Sequence, residues 1–147
     1  MKILSRQLTL DLYNCSAKKL SDIDEVKKIL QEAIGKEPKL TSEKLDGERL
    51  AIISVFMEGH IALHVYGDLR YVAADIFTCA ENLEPEELAS VLRKYFKPDK
   101  MKSTFLNRGD FNQTEIKPKI KTRFAPIRKV RNAGEKVVRT LVRRSKD

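Results

Sequence analysis

The sequence predicts an α+β fold, a two-layer sandwich in which a mostly antiparallel sheet carries two helices on one face. Two kinds of apolar periodicity indicate this fold. Short runs alternate apolar with polar residues, as strands do, and two longer runs repeat apolar residues at spacings of three and four, as amphipathic helices do. The runs follow one another as strand, helix, several strands, helix and strand, which favours helices packed against one face of a sheet. With 147 residues, 41% of them hydrophobic, the chain is long enough to bury one core.

Six segments have the composition and spacing of strands. The first is marked by Leu8, Leu10 and Leu12, which alternate with polar residues. The other five predicted strands are Lys39 to Leu45, Ala51 to Met57, Ile61 to Tyr66, Tyr71 to Phe77 and Met101 to Asn107. Asp46-Gly47 and Gly67-Asp68 are turn signals between consecutive strands, so we expect hairpins at both places.

Two segments are predicted helices. In the first, Ser21 is the expected N-cap with Asp24 at the third position, and Gly35 ends the helix. The second begins at Glu84-Pro85, where proline suits the first turn, and ends before Lys97-Pro98. The residues predicted to face the sheet are Ile23, Val26, Ile29, Leu30, Ala33 and Ile34 in the first helix, and Leu88, Val91, Leu92 and Tyr95 in the second.

The positive charge of the chain is concentrated at its C-terminal end. Residues 1–115 contain 17 Lys and Arg against 19 Asp and Glu, whereas residues 116–147 contain 12 against 2, and together they give the net charge of +8. We therefore divide the chain into a folded domain, residues 1–112, and a basic extension, residues 113–147. Pro126 is expected to open a helix in the extension. Its apolar positions at helical spacing are Ile127, Val130, Val137 and Leu141.

Three interpretations of the basic extension remain open. Its helix docks on the acidic domain or on a partner subunit, it binds the phosphates of RNA or DNA through residues 116–147, or it lies on an anionic membrane surface. Phe124 is the only aromatic residue in this segment, which limits stacking on bases.

The sequence has no segment with the pattern of a membrane span or an export signal. No apolar run approaches the roughly 20 residues that cross a bilayer. The opening residues, Met1 to Tyr13, alternate apolar and polar side chains instead of forming the apolar stretch of a signal peptide. A cytoplasmic location is therefore expected, in which Cys15 and Cys79 are free thiols rather than a disulfide.

The most specific feature is a pair of motifs in the middle of the chain. The first is Glu58-Gly59-His60 with a second histidine at His64, and the second is Asp75-Ile76-Phe77-Thr78-Cys79. The two motifs resemble the prokaryotic S-adenosylmethionine decarboxylases, in which Glu-Ser-His-x-x-x-His precedes Asp-x-Phe-Thr-Cys at the same separation. The resemblance extends over roughly residues 5–110 and includes Leu10 to Cys15, which is similar to the family's opening strand and its Tyr-x-Cys turn.

The resemblance implies a chemistry whose first step this chain lacks. In the family, the serine after the glutamate attacks the glutamate carbonyl, and the resulting ester eliminates to a pyruvoyl group that acts as the electron sink for decarboxylation. Gly59 stands in place of that serine and has no hydroxyl. Ser42 and Ser54, the nearest upstream serines, do not follow a glutamate in the matching register. We therefore expect neither self-cleavage at Glu58-Gly59 nor a pyruvoyl cofactor.

Some of the family's other site residues are present in this chain, and others are replaced. The resemblance implies that His64 corresponds to the histidine that assists processing and Cys79 to the cysteine that protonates the substrate carbon. Tyr66-Gly67-Asp68 stands where the family usually has Trp-Pro-Glu, just after the second histidine. Tyr66 and Asp68 either stack on adenine and accept from ribose hydroxyls, as the resemblance implies from the family's aromatic and acidic residues, or simply form a hairpin turn. Ala51 stands where bacterial enzymes tend to place a serine that aids processing.

Two further alternatives concern individual side chains. Cys79 is either a buried, inert thiol or a residue that lines a ligand cavity. His60 and His64 lie four residues apart, and a zinc site would need further ligands from Cys79, Asp75 or Glu58. We favour histidines left from an active site and satisfied by hydrogen bonds, and we predict no metal.

These observations lead to one main hypothesis and two alternatives. The chain is a catalytically silent member of the family, a homodimer or a heteromer with an active paralogue, which binds a ligand like S-adenosylmethionine and has a regulatory role linked to spermidine synthesis. The first alternative is an active decarboxylase whose natural residue at position 59 is serine. The second is a nucleic-acid-binding module that acts through residues 116–147.

Overall fold

Seven strands form one antiparallel sheet in the computed structural model, which describes residues 5–35, 38–79, 81–109 and 120–126. The strands are β1 (Ser5–Tyr13), β2 (Lys39–Lys44), β3 (Arg49–Phe56), β4 (Gly59–Tyr66), β5 (Tyr71–Thr78), β6 (Lys100–Arg108) and β7 (Ile120–Pro126). Their spatial order is β2-β3-β4-β5-β1-β6-β7, so the first strand lies between β5 and β6. The six predicted strands are present.

Three helices accompany the sheet in the described part of the chain: α1 (Ala17–Leu20), α2 (Ile23–Ile34) and α3 (Pro85–Phe96). The two predicted helices are α2 and α3. The N-cap of α2 is Asp22, whose carboxylate accepts a hydrogen bond from the Glu25 amide at 3.0 Å, so the prediction of Ser21 was wrong by one residue. Gly35 ends α2 in the left-handed conformation with φ of 68°, as predicted.

The core lies between the helices and one face of the sheet, which we call the helix face. Alternate residues of β1, β3, β4 and β5 point to this face and are buried, because the side chains of a strand alternate between its two sides. The largest fully buried side chains include Leu10, Leu12, Leu30, Ile52, Ile61, Leu63, Ile76, Leu88, Leu92 and Phe96. The predicted two-layer α+β sandwich is confirmed, and the other side of the sheet, which we call the open face, carries no described helix.

The strand β7 was not predicted. It pairs with β6 from Leu106 opposite Ile120 to Lys100 opposite Pro126, and it forms one edge of the sheet. Part of the predicted basic extension therefore belongs to the sheet, while the boundary at residue 112 stays a prediction. The helix predicted to start at Pro126 falls on residues 127–147, which lie outside the described residues.

In the described ranges, every helix is too short or too polar to cross a membrane.

Candidate functional site

The two central motifs meet at one end of the sheet. Phe56 pairs with Gly59 across the β3–β4 hairpin, so that Met57 and Glu58 form its two-residue turn. Cys79 follows directly after β5, and its amide donates a hydrogen bond to the Glu58 carbonyl at 2.8 Å. The Cys79 thiol lies 3.1 Å from the same oxygen and donates to it as well. Two donors therefore polarise the carbonyl of the Glu58–Gly59 peptide bond.

Gly59 has no space for a side chain. It lies opposite Thr78 on β5, and a Cβ atom built on its backbone would lie 2.0 Å from the Phe77 carbonyl oxygen and 3.0 Å from the Thr78 Cα. Both obstacles are main-chain atoms, which no rotamer change removes. Any residue larger than glycine therefore requires β4 and β5 to move apart at this point.

The two histidines lie on the open face and are exposed. The His60 ring stacks on Phe77 with centroids 5.3 Å apart and an interplanar angle of 18°. His64 lies between Ala51 and Ala73 on the neighbouring strands. Among the residues that the structure describes, neither imidazole has a hydrogen-bond partner, so the expectation that hydrogen bonds satisfy both rings was wrong.

The positions of these side chains along β4 also bear on metal binding and processing. His60 and His64 are separated by four residues of extended chain, about 13 Å. Within the described ranges, no three or more His, Cys, Asp or Glu side chains are grouped closely enough to hold a metal ion. His64 lies five residues from Gly59, about 16 Å along the strand, and so does not contact the Glu58 carbonyl in one copy of the chain.

A cluster of three tyrosines occupies the opposite end of the open face. Tyr71 lies between Tyr66 and Tyr13, with ring centroids 5.6 Å and 5.3 Å away. The Arg49 guanidinium lies 5.3 Å from the Tyr66 ring centroid and 3.3 Å from the Asp68 carboxylate. We call Tyr13, Tyr66 and Tyr71 the tyrosine cluster. Together with the neighbouring Arg49 and Asp68, it presents aromatic faces, a cation and an acid side by side.

Sequence reasoning identified Tyr66 and Asp68 but missed their neighbours. Tyr71 is paired with Tyr66 across the β4–β5 turn, so the short distance between them in sequence could have predicted their contact. Tyr13 lies on β1, which is far from β5 in sequence, and no local pattern predicts its contact with Tyr71. The Tyr71 hydroxyl donates a hydrogen bond to the Asp11 carboxylate. Burial, followed by this contact, raises the pKa of Tyr71 above its ordinary value, so the hydroxyl keeps its proton at neutral pH.

The predicted ligand residues and the predicted processing residues do not meet in one copy of the chain. The tyrosine cluster and the Glu58–Gly59 turn lie at opposite ends of β4, which spans eight residues, or about 23 Å. A ligand the size of a nucleoside reaches only one of them. The sequence did not predict this separation. The spacing of the motifs does not show that β4 extends without a bend from the Glu58–Gly59 turn to the tyrosine cluster.

The two cysteines differ in exposure. Cys15 is buried, and desolvation raises its pKa from 9.0 to about 12 despite the opposing effect of the nearby Arg70. Cys79 is exposed, so the interpretation of Cys79 as a buried thiol was wrong. It follows directly after Thr78, the last buried position of β5, so the alternation along the strand also favours exposure at position 79. Both cysteines are free thiols, as predicted.

This difference predicts selective alkylation. With iodoacetamide at pH 8, we expect Cys79 to be modified while Cys15 stays unmodified until the protein is unfolded in urea. Burial blocks access to Cys15 and raises its pKa, which lowers the fraction of reactive thiolate at pH 8. Peptide mass spectrometry distinguishes the two sites, and Cys79→Ser is the control that should show no label under native conditions. Equal labelling of both thiols in the folded protein would contradict this burial difference.

Comparison with known proteins explains the combination of motif and fold. Residues 6–109 match the family model described as S-adenosylmethionine decarboxylase. The chain belongs to the S-adenosylmethionine decarboxylase family. The resemblance stated from the two motifs is thereby confirmed, and it covers β1 through β6.

Relatives in the S-adenosylmethionine decarboxylase family are similar over nearly their whole length. An S-adenosylmethionine decarboxylase proenzyme from Methanococcus maripaludis is 30% identical over 122 residues, which cover 80% of this chain and 99% of the relative. A proenzyme of the same name from Acetivibrio thermocellus is 30% identical over 117 residues, covering 77% and 94%. Another, from Moorella thermoacetica, is 31% identical over 113 residues, covering 74% and 90%.

Two crystal structures share the fold at low sequence identity. Adenosylmethionine decarboxylase from Aquifex aeolicus aligns with a TM-score of 0.68 and 15% identity, covering 80% of this chain and 100% of that one. The Trypanosoma brucei enzyme aligns with a TM-score of 0.53 and 11% identity, covering 69% of this chain and 45% of that one. These likenesses show the fold alone.

Proposed function

We propose that this chain is a member of the S-adenosylmethionine decarboxylase family that does not cut itself and forms no pyruvoyl group. It acts instead as a ligand-binding or regulatory protein linked to spermidine synthesis in the cytoplasm. One observation carries the proposal: position 59 is glycine, and the main chain of β5 occupies the space that a serine Cβ would need.

The chemistry of processing explains why this position is decisive. Pyruvoyl formation takes its methyl carbon from the serine Cβ, and the serine Oγ must first attack the preceding carbonyl. Gly59 supplies neither atom. The Glu58 carbonyl is polarised by the Cys79 amide and thiol, an arrangement that favours attack, but the described structure offers no side-chain nucleophile at position 59. What supports the proposal is a site with a polarised carbonyl and no attacking group.

The direct test is the covalent state and activity of the purified protein. We expect one intact species at the full-length mass of 16.9 kDa and no release of labelled carbon dioxide from carboxyl-labelled S-adenosylmethionine. The proenzyme from Methanococcus maripaludis, treated in the same way, is the positive control. Two fragments, or carbon dioxide release above the rate with boiled protein, would contradict the proposal.

A second copy of the chain, or an active paralogue, is the partner that we propose for the open face. This face exposes apolar side chains on β3, with Ile53 45% and Val55 50% accessible. A two-fold axis that lies between the open faces of two copies, perpendicular to β4 and level with its middle, would place the tyrosine cluster of one copy beside the Glu58–Gly59 turn of the other, because the two features lie at opposite ends of the same strand. Such pairing would unite the residues that one copy keeps apart.

The ligand proposed for this paired site is an adenosine-containing molecule such as S-adenosylmethionine. Tyr66 offers a stacking face, and Asp68, although it contacts Arg49, is about half exposed and offers an acceptor. Light scattering should give twice the monomer mass, and calorimetry should show saturable binding that Tyr66→Ala reduces at least about tenfold. The exposed Met57→Ala is the control. A monomer without measurable binding at millimolar ligand would contradict this part of the proposal.

A further inference from the structure

The helix face of the sheet carries a groove that the described helices do not cover. Helix α3 packs on β1 and β5, whereas β6 and β7 extend the sheet beyond it. Every residue of β6 from Met101 to Leu106 is therefore only half-buried. The groove lies between α3 and these last two strands and has a volume of about 420 Å³. Small-molecule sites in proteins have volumes of this order.

The floor of the groove is apolar. It includes Leu8 and Leu10 on β1 and Met101 and Phe105 on β6. These side chains share the helix face, since Phe105 pairs with Leu8 and Met101 lies four residues away on the same strand. The two leucines are buried, whereas Met101 and Phe105 keep part of their surface in contact with solvent. An apolar group that covers this surface would remove it from water, which favours binding.

Two arginines stand on opposite sides of this floor. Arg93 comes from the last turn of α3, and Arg123 comes from β7. Both are exposed, and among the described residues neither forms an ion pair with a carboxylate. Glu86 also lines the groove, but it precedes Arg93 by seven residues, about 10 Å along the helix axis. The two guanidinium groups are therefore available to an anion in the groove.

This combination selects one class of ligand. Guanidinium groups bind carboxylates through paired, charge-assisted hydrogen bonds, and the floor calls for an apolar body. Inorganic phosphate would leave the floor uncovered, and Glu86 disfavours a ligand with several negative charges. We propose that the groove binds a small carboxylate with a single negative charge and an apolar chain. The carboxylate contacts Arg93 and Arg123, and the chain covers Met101 and Phe105.

The groove does not depend on the proposed function. It lies on the helix face, whereas the second copy and the adenosine-containing ligand are proposed for the open face. Pairing through the open face therefore leaves the groove accessible. Neither the Glu58–Gly59 turn nor the tyrosine cluster lines it.

The test measures binding of octanoate to the full-length protein by calorimetry and by amide chemical shifts. We expect saturable binding of one octanoate per chain, with the largest shifts at the groove. The double variant Arg93→Gln/Arg123→Gln should raise the Kd at least about tenfold, because it removes charge-assisted hydrogen bonds to the carboxylate. Ser103→Phe places a ring on the floor while it keeps both arginines, and it should abolish binding.

The matched control is Lys39→Gln/Lys94→Gln. It removes the same charge from one strand and from α3, at exposed positions outside the groove, and should change the Kd by less than about twofold. Octylamine has the same chain with the opposite charge and should bind at least about tenfold more weakly than octanoate. Acetate, which lacks the chain, should not saturate the site. Circular dichroism melts verify that each variant is folded.

Four results would overturn the proposal. The first is no saturable binding of octanoate by the unaltered protein at millimolar concentration. The second is an equal loss of affinity in the control and in the arginine variant, which would mean that net charge alone is responsible. The third is octylamine binding as tightly as octanoate, which would leave the arginines without a role. The fourth is chemical shift changes at the tyrosine cluster instead of the groove.

Discussion

Replacing Gly59 by serine is expected to leave the chain in one piece and to lower the free energy of unfolding by about 2 to 3 kcal/mol. The added Cβ would lie 2.0 Å from the Phe77 carbonyl oxygen, so β4 and β5 must separate and strain the hydrogen bonds between them. The restored hydroxyl would therefore enter a distorted strand pair. Urea denaturation followed by circular dichroism measures the stability, and intact mass measures cleavage.

The matched control for this substitution is Gly47→Ser. Gly47 has φ of +67° and nothing within 4 Å of a built Cβ, so serine there should cost about 1 kcal/mol through backbone strain and nothing through contact. If Gly59→Ser is as stable as the unaltered protein and splits into two fragments, the alternative hypothesis is favoured, in which the natural residue at position 59 is serine. That outcome would also remove the main support for a non-processing function.

Replacing Phe96 by alanine is expected to destabilise the protein by about 3 to 5 kcal/mol, the range for a fully buried aromatic side chain. Phe96 is the last residue of α3, has no exposed surface, and contacts the Tyr95 ring edge-on at a centroid distance of 4.9 Å. The Phe96 carbonyl also accepts a hydrogen bond from the Ser16 amide at 2.9 Å, so the position of Phe96 helps to fix the start of α1. Thermal and urea denaturation measure the loss.

The control for Phe96→Ala is the same substitution at the exposed Phe124. It should change the free energy of unfolding by no more than about 0.5 kcal/mol, because the ring is already 77% accessible. Comparable losses in the two variants would mean that Phe124 is buried in solution.

The regular elements were predictable where the local pattern and the tertiary environment agree. The buried alternation of β3 and β4 and the apolar stripe of α2 follow from periods of two and about 3.6, which need no knowledge of the partners. The four residues of α1 are too few to show a period. Ser21 and Asp22 are adjacent residues with equal capping chemistry, so only the backbone geometry distinguishes them.

The strand β7 illustrates a different limit. Its residues alternate in the manner of a strand, but the net charge around them suggested an appendage. Its partner β6 is separated from it by residues 109–119, a connection longer than a tight hairpin turn. Edge strands are also polar on both faces, which weakens the periodic signal. The strand was therefore missed because of its charge composition, and only its pairing with β6 identifies it.

At the candidate site, the sequence predicted which residues are neighbours and missed their arrangement. The distance between the motifs was sufficient to place Cys79 beside Glu58, since two hairpin strands of equal length bring their outer ends together. The steric closure around Gly59 depends on main-chain positions to within an ångström. The tyrosine cluster depends on β1 lying beside β5, a long-range pairing that no local pattern contains.

The central position of β1 also governs how the chain reaches its native state. Its pairings join residues from 60 positions apart, for Leu12 and Val72, to 103 positions apart, for Ser5 and Arg108. Such a high relative contact order is typical of domains that fold in milliseconds to seconds, because long loops must close before the contacts form. During synthesis, β1 would leave the ribosome before its two partners and would keep both edges unpaired until β5 and β6 follow. The nascent chain would thus expose an unpaired strand with three leucines, which can pair with other strands or aggregate. Folding of the sheet would be completed only after translation has passed residue 108.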